Sequence, residues 1–248
     1  MPTRLDRLDA LRGLALAWMT AYHFGFDLNH FGLIQQDFYN DPIWTGQRTA
    51  IVGLFLFTAG FGQVLAVQAG QGWPRFWRRW RQVAACALLV SLASWWMFPR
   101  SWISFGVLHA LALLLLLVRA LLMRGWLGGP WPWLLALGLL GATPLLRGLL
   151  VAADAPTLAA ALDSRWLYGL GIVTHKPVTE DYVPLLPWLG VLLLGVGAGQ
   201  RLPRAWLQRP VPVPARGLAV LGRWSLSWYM LHQPVLIGGL MAWLAWRG

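Results

Sequence analysis

Seven apolar runs constrain the fold of this chain more than any other feature. They lie at residues 8–28, 49–69, 83–98, 103–122, 131–151, 184–200 and 224–246. Each is close to the roughly 20 predominantly apolar residues that carry an α-helix across a bilayer. In hydrocarbon, backbone polar groups must be satisfied internally, which favours helices over open strands. The fold class expected is therefore all-α: a polytopic integral membrane helix bundle of about seven helices, as one domain over residues 1–248. Arg81 and Arg100 flank the short third run and can snorkel to lengthen it. Pro144 and Arg147 interrupt the fifth, leaving its outer end undefined. A signal peptide is disfavoured. The first run contains Asp9 and Arg12, no small-residue cleavage site follows, and six further runs come after it.

Composition agrees. Apolar residues make up 58% and charged residues 12%, about half the usual share for a soluble domain. The mean hydropathy is +0.55. A net charge of +11 would suit a nucleic-acid binder, but the low charge density and long apolar runs exclude a dense basic face on a soluble fold. The single cysteine, Cys86, excludes an intrachain disulfide and has no base near it in sequence.

Basic residues set orientation in short loops. With the N-terminus cytoplasmic, Arg48, Arg100, Arg147, Arg165, Lys176 and Arg247 fall outside. The remaining 14 of 20, Arg4, Arg119 and Arg223 among them, fall inside (20 − 6 = 14). Asp6 and Asp9 are inside, and the other acids are outside. That second asymmetry is not part of the rule and needs its own explanation. The expected location is the cytoplasmic (inner) membrane, multi-pass, with the bilayer as a partner. Many of the 18 Trp, such as Trp44, Trp95, Trp131 and Trp246, sit near run ends as interfacial anchors. Gly53, Gly60, Gly62, Gly190, Gly195, Gly197 and Gly199 suit close helix approach.

Ionisable residues within membrane helices are costly and are candidates for function. Asp9, Arg12 and His23 share a face of the first helix, and Asp27 follows His23 by four residues. A carboxylate beside an imidazole fixes its tautomer and raises its basicity, as a general base requires. Asp9 and Arg12 also read as a local ion pair. His30, Asp37, Asn40, Asp41 and Arg48 lie in or beside the first outer loop, where Asp41 and Arg48 are candidates to bind a polar acceptor. His109 opens the fourth helix and His232 sits near the middle of the last; both are candidate substrate ligands or interhelical hydrogen-bond partners. His175 reads as solvated. The run Arg75-Phe-Trp-Arg78-Arg79-Trp-Arg81 reads as a cytoplasmic loop, serving topology or holding donor phosphates through Arg78 and Arg79. No Walker or dinucleotide glycine motif, no HExxH or Cys/His metal set and no Gly-x-Ser-x-Gly elbow occurs in the sequence, so no metal is expected.

Several stretches together resemble a known group. Arg7-Leu-Asp9-Ala-Leu-Arg12-Gly13-Leu-Ala15, followed by Tyr22-His23-Phe24, resembles the opening of polytopic membrane acyltransferases. Phe55-Leu-Phe-Thr-Ala-Gly60-Phe61 resembles their second helix. Leu221-Gly-Arg-Trp-Ser225-Leu-Ser227 through Tyr229, His232, Gln233 and Pro234 resembles their C-terminal motif. The chain is most similar to short bacterial proteins related to the catalytic domain of heparan-alpha-glucosaminide N-acetyltransferase. The resemblance implies an acyltransferase moving an acetyl or other acyl group from acyl-CoA across the membrane to a carbohydrate-like acceptor. It implies His23 as catalytic. The placement of the other residues adds Asp27 as its support, substrate contacts at Asp41, Arg48, His109 and His232, and donor contacts at Arg12, Arg78 and Arg79. The lysosomal enzyme's active histidine lies in the first outer loop. The counterpart here, Phe38-Tyr39-Asn40-Asp41, has no histidine and departs from an acyl-histidine route in that loop.

Two other classes stay open at this point. A transporter or channel with a His/Asp-lined path would suit helices broken at Pro144 and Pro187, although no internal repeat supports it. A non-catalytic membrane scaffold would not need midspan ionisable residues. Homo-oligomerisation is compatible with the sequence, and nucleic acid is not an expected partner.

Overall fold

The computed structural model describes residues 5–247; Arg4, counted above among the inner charges, lies outside them. Among the described residues the regular structure is helical and contains no strand. The ten α-helices are α1 (Asp6–His30), α2 (Pro42–Gln68), α3 (Trp73–Met97), α4 (Val107–Met123), α5 (Trp131–Ala152), α6 (Pro156–Asp163), α7 (Trp188–Arg201), α8 (Arg204–Leu207), α9 (Arg216–Arg223) and α10 (Ser225–Arg247). Each of the seven expected runs coincides with one long helix: α1 to α5, α7 and α10.

Some boundaries differ, for local reasons. The Arg75–Arg81 run is not a loop: it forms the first two turns of α3. Gly72 is the N-cap and Pro74 stands in the first turn, where its missing N–H costs nothing. No breaker follows, so the helix starts ten residues before the apolar run. Arg48 likewise lies in α2 and His30 ends α1, rather than in the outer loop. Asp41 starts α2 early, its Oδ1 accepting the Ile43 N–H at 2.7 Å with Pro42 between them. Pro144 does not break α5, which runs unbroken to Ala152. Thr143 Oγ1 donates to the Leu139 carbonyl at 2.7 Å beside it. The connection after α7 holds α8 and α9, whose arginines interrupt any apolar run.

Two helices, α2 and α5, are long and apolar enough to cross a membrane by length and composition, and α4 is a shorter apolar helix. Exposure decides the surrounding medium. In the most apolar window of α5 only 11% is buried. Leu134, Leu137, Leu145, Leu149 and Val151 on α5 are each more than half exposed, as are Leu88, Leu89, Leu92, Trp95 and Trp96 on α3. Leaving one such side chain in water forgoes about 1.5–3 kcal/mol. Continuous apolar surface of this kind is incompatible with an aqueous monomer and natural in lipid. The protein is a membrane protein.

The chain divides into two compact units, with the boundary inside α2. One unit takes the residues up to Phe55 and those from Leu202 onward; the other is Leu56–Arg201. In the first, α1 packs on α9 and α10. α1 and α9 meet backbone to backbone: a methyl on Gly13 would overlap the Leu218 carbonyl, and one on Gly222 the Asp9 carbonyl. The charged residues of the first turns of α1 pair off at this end. Arg12 binds Asp9 at 3.1 Å, Arg223 binds Asp6 at 2.8 Å, and Arg7 lies 4.4 Å over the Trp206 ring. In the second unit α7 lies between α2 and α5. Gly60 and Gly195 sit against the Leu192 and Phe57 carbonyls, and Gly197 against the Trp133 indole, which bears out the close approach expected of these glycines.

The long connection before α7 is pinned by its acids. Asp181 Oδ2 accepts the Val107 N–H at 2.8 Å, capping α4, and Glu180 accepts from Ser101 at 2.5 Å. Asp163 accepts from Thr174 N–H at 2.7 Å and from its hydroxyl at 2.5 Å, and pairs with His175 at 3.1 Å. Burial alone would raise the Asp163 pKa, but these donors outweigh it and hold the carboxyl below its usual range. Burial raises the nearby Tyr182 phenol, whose hydroxyl donates to the Tyr168 carbonyl at 2.7 Å. Asp163, Glu180 and Asp181 therefore have structural work: they cap a helix and tie loops.

Candidate active site

The chemistry-bearing side chains of the first unit converge where α1 meets α10. α1 brings Tyr22, His23 and Asp27, and α10 brings Tyr229, His232 and Gln233. His23 and Asp27 on α1, and Tyr229, His232 and Gln233 on α10, are three or four residues apart or adjacent to one that is, which brings each set to one side of its helix. His23 stands 14 residues after Asp9, about 21 Å along α1. The imidazoles of His23 and His232 meet edge to face, with ring centroids 5.1 Å apart. Tyr22 packs on His23 at 5.8 Å and Tyr229 on His232 at 5.9 Å.

Hydrogen bonding assigns the roles of individual atoms. His232 Nδ1 lies 2.7 Å from the Tyr229 carbonyl, which only accepts. Nδ1 therefore carries the proton, and Nε2 of the neutral ring presents a lone pair. That Nε2 is buried and has no partner. Asp27 is 3% exposed. Its Oδ1 accepts from Gln233 Nε2 at 2.8 Å, while its Oδ2 and Gln233 Oε1 are buried without partners. Three unmatched acceptors thus sit within one turn of α1 and one turn of α10. Buried polar atoms in a native fold are nearly always matched, so three together mark a place for a donor-rich ligand.

Asp27 does not hold His23 as the i, i+4 spacing suggests; its partner is Gln233, and among the described residues the His23 ring makes no hydrogen bond. An aromatic cluster packs against Tyr22 beside the site. Phe38, 2% exposed, stacks on Trp44 at 4.0 Å and meets Tyr22 at 5.6 Å and Phe26 at 5.4 Å. The turn carrying it is built on Asp37, which accepts from the Asn40 side chain and N–H at 2.9 Å and from Tyr39 N–H at 3.0 Å. The Asn40 donors hold the Asp37 carboxyl below its usual range. An apolar groove of about 550 Å³, lined by Thr20, Phe24, Trp228 and Leu236 among others, flanks the histidine pair along α1 and α10.

The remaining candidates are placed as follows. Arg48 lies within electrostatic reach of the Tyr22 phenol. The Asp41 carboxylate caps α2. His109 belongs to the second unit: Nδ1 accepts the Gly106 N–H at 3.2 Å, so Nε2 donates to Ser91 Oγ at 3.0 Å, and Ser91 donates to the Ile103 carbonyl at 2.6 Å. Both its nitrogens serve the α3–α4 corner. Arg78 and Arg79 are exposed on α3, Arg79 donating to Gln82 at 3.0 Å. In sequence Gln233 enters only as part of the C-terminal motif and with no role of its own, since its partner lies 206 positions away. Among the described residues no group of three or more His, Cys, Asp or Glu side chains is placed to hold a metal ion.

A family model described as heparan-alpha-glucosaminide N-acetyltransferase, catalytic, matches residues 4–234. The chain belongs to this family. The match covers nearly the whole chain and encloses His23, Asp27, His232 and Gln233. Membership makes the protein acyltransferase-like, with a transmembrane acetyltransferase domain as its relative, and agrees with the apolar exposure of α3 and α5. No protein of curated function and no solved structure matches the chain.

Proposed function

We propose that the protein is an integral membrane acyltransferase that moves an acetyl or other acyl group from acyl-CoA to a carbohydrate-like acceptor on the far side of the membrane. One observation carries this reading: the three unmatched acceptors, His232 Nε2, Asp27 Oδ2 and Gln233 Oε1, beside a second imidazole. A sugar hydroxyl or amine supplies the donors they lack. As the acceptor oxygen or nitrogen attacks the thioester carbonyl, its proton passes to an imidazole nitrogen of the His23–His232 pair. The C–S bond breaks and the CoA thiolate leaves, taking a proton in turn. Asp27 and Gln233 orient the acceptor by neighbouring hydroxyls.

The donor comes from the cytoplasmic face, where the exposed guanidinium groups of Arg78 and Arg79 suit its phosphates and Arg12 lies at the inner end of α1. Arg48 and Asp41 border the acceptor's entry. In this reading α1 to α5, α7 and α10 cross the inner membrane seven times within a single acyltransferase domain, N-terminus cytoplasmic. The site then lies toward the outer end of α1, on the acceptor's side. Acyl-CoA turnover by purified protein tests the proposal. Undiminished turnover by both His23→Ala and His232→Ala would remove the histidine pair from the mechanism. Substrate flux into proteoliposomes without any acyl-CoA would replace the enzyme with a transporter.

A further inference from the structure

Arg119 is the largest fully buried side chain of the second unit, 0% exposed on α4. Its Nη2 donates to the Gln71 carbonyl, and its guanidinium lies 5.4 Å from the Phe76 ring centroid. Nε and Nη1 are buried and have no partner. Among the described residues no carboxylate pairs with this charge, and from Pro42 to Ala153 the sequence contains no acidic residue at all. A buried guanidinium is normally paired and hydrogen-bonded.

The surroundings indicate what is missing. Gln71 and Phe76 bracket the start of α3, so the guanidinium packs against that helix's N-terminal turn, where backbone N–H groups and the helix dipole favour an anion. Gly72, the N-cap, offers no side chain, and no side chain caps this end. Arg75 and Arg78 follow, both exposed. A cavity of about 180 Å³, bordered by Gln68, Leu122 and Gly125, lies one turn from Gln71 and from Arg119.

We propose that Arg119 is the buried prong of a phosphoryl-anion site at the first turn of α3, where its guanidinium donors that lack a protein partner meet a phosphate or diphosphate ester. The diphosphate of an acyl-CoA donor is the occupant that follows from the proposed acyl transfer, and to that extent the assignment rests on it. An anionic lipid headgroup presents the same chemistry from a second source.

The test is binding rather than turnover. Purified full-length protein in phosphatidylcholine nanodiscs is titrated with inorganic pyrophosphate and with CoA, and is separately reconstituted with phosphatidylglycerol. Melting temperature and tryptophan fluorescence are read, since Trp73 and Trp77 stand beside the site. Pyrophosphate and CoA are expected to raise the melting temperature of the parent protein, with affinity lowered about tenfold or more in Arg119→Gln. Without anion, Arg119→Gln is expected to melt no lower than the parent, because an uncompensated buried charge has gone. A lower melting temperature with an unchanged pyrophosphate response is the signature of a purely structural arginine and overturns the proposal. So does the absence of any Arg119-dependent response to all three probes. A response to phosphatidylglycerol alone keeps the site and assigns it to lipid. Should Arg119→Gln fail to fold, Arg119→Lys keeps the charge without the guanidinium's spread of donors, and pyrophosphate affinity equal to the parent's would overturn the guanidinium contact. Pyrophosphate carries no acyl group, so the two readings separate. Arg119-dependent binding without turnover removes acyl transfer and leaves this site; turnover without Arg119-dependent binding does the reverse.

Discussion

At the scale of single residues, the Tyr229 carbonyl decides what His232 can do. By accepting a hydrogen bond from Nδ1–H it leaves Nε2 as a lone-pair acceptor in a buried position, which is what a general base needs before substrate arrives. His232→Ala and His23→Ala are each expected to lower acyl-CoA turnover about 100-fold or more, the usual share of a positioned acid–base group. His232→Gln is informative beside them, because it keeps much of the shape without the titrating nitrogen. Gln233→Leu removes the donor to Asp27 Oδ1 and strands that carboxylate. It is expected to raise KM for the acceptor more than it lowers kcat, measured by varying acceptor at saturating donor. His23 and Asp27 are legible as site residues because ionisable groups in an apolar run are conspicuous. Their geometry is not. The i, i+4 spacing points Asp27 at His23, yet a residue on α10 is closer in space. Gln233 carries no charge and breaks no pattern, so only the α1–α10 packing reveals its role. Arg119 reads in sequence as one more orientation charge, since nothing local to it shows that its guanidinium is buried with donors unmatched.

At the scale of elements, the apolar runs locate all seven long helices but not where they begin. Apolarity marks the part of a helix that lies in lipid, whereas caps and breakers mark its ends. α2 and α3 therefore start at Asp41–Pro42 and Gly72–Pro74, well before their runs. The glycines of α7 set how closely it packs. Gly195→Val places side-chain atoms on the Phe57 carbonyl and is expected to destabilise the fold by about 1–3 kcal/mol, the usual cost of overpacking. Gly138→Ala on α5 meets open space and is expected to change little. Thermal unfolding in detergent compares the two. The connection before α7 has a pH signature. The Asp163 pKa is lowered in the folded chain, so its contribution is present above the unfolded value of 3.8 and is lost as pH falls through the lower folded value. Asp163→Asn is expected to increase proteolysis within residues 171–183 at pH 6 and to abolish the extra sensitivity that the parent gains below about pH 4.

At the scale of the whole molecule, charge and exposure act together. In the proposed topology the arginines gather on one set of helix ends and the acids on the other, and the acids cap α2 and α4 or tie loops through Asp37 and Asp163. Seven crossings with the N-terminus inside predict that a cysteine placed by Arg79→Cys in a Cys86→Ser background labels only from the cytoplasmic side. Asn40→Cys in the same background labels only from the outside. Labelling of both from the same side would overturn the topology. The sequence by itself determined the medium, the helical class and the family-wide chemistry, because these depend on apolar run length, charge placement and local motifs. It also singled out His23, Asp27 and His232 one at a time. Only the tertiary structure decided which of them meet. Hydrogen-bond partners depend on which helix faces meet: α10 places His232 and Gln233 on α1, His109 turns to the α3–α4 corner, and the surroundings of the unmatched Arg119 donors are defined by neighbours that lie far from it along the chain.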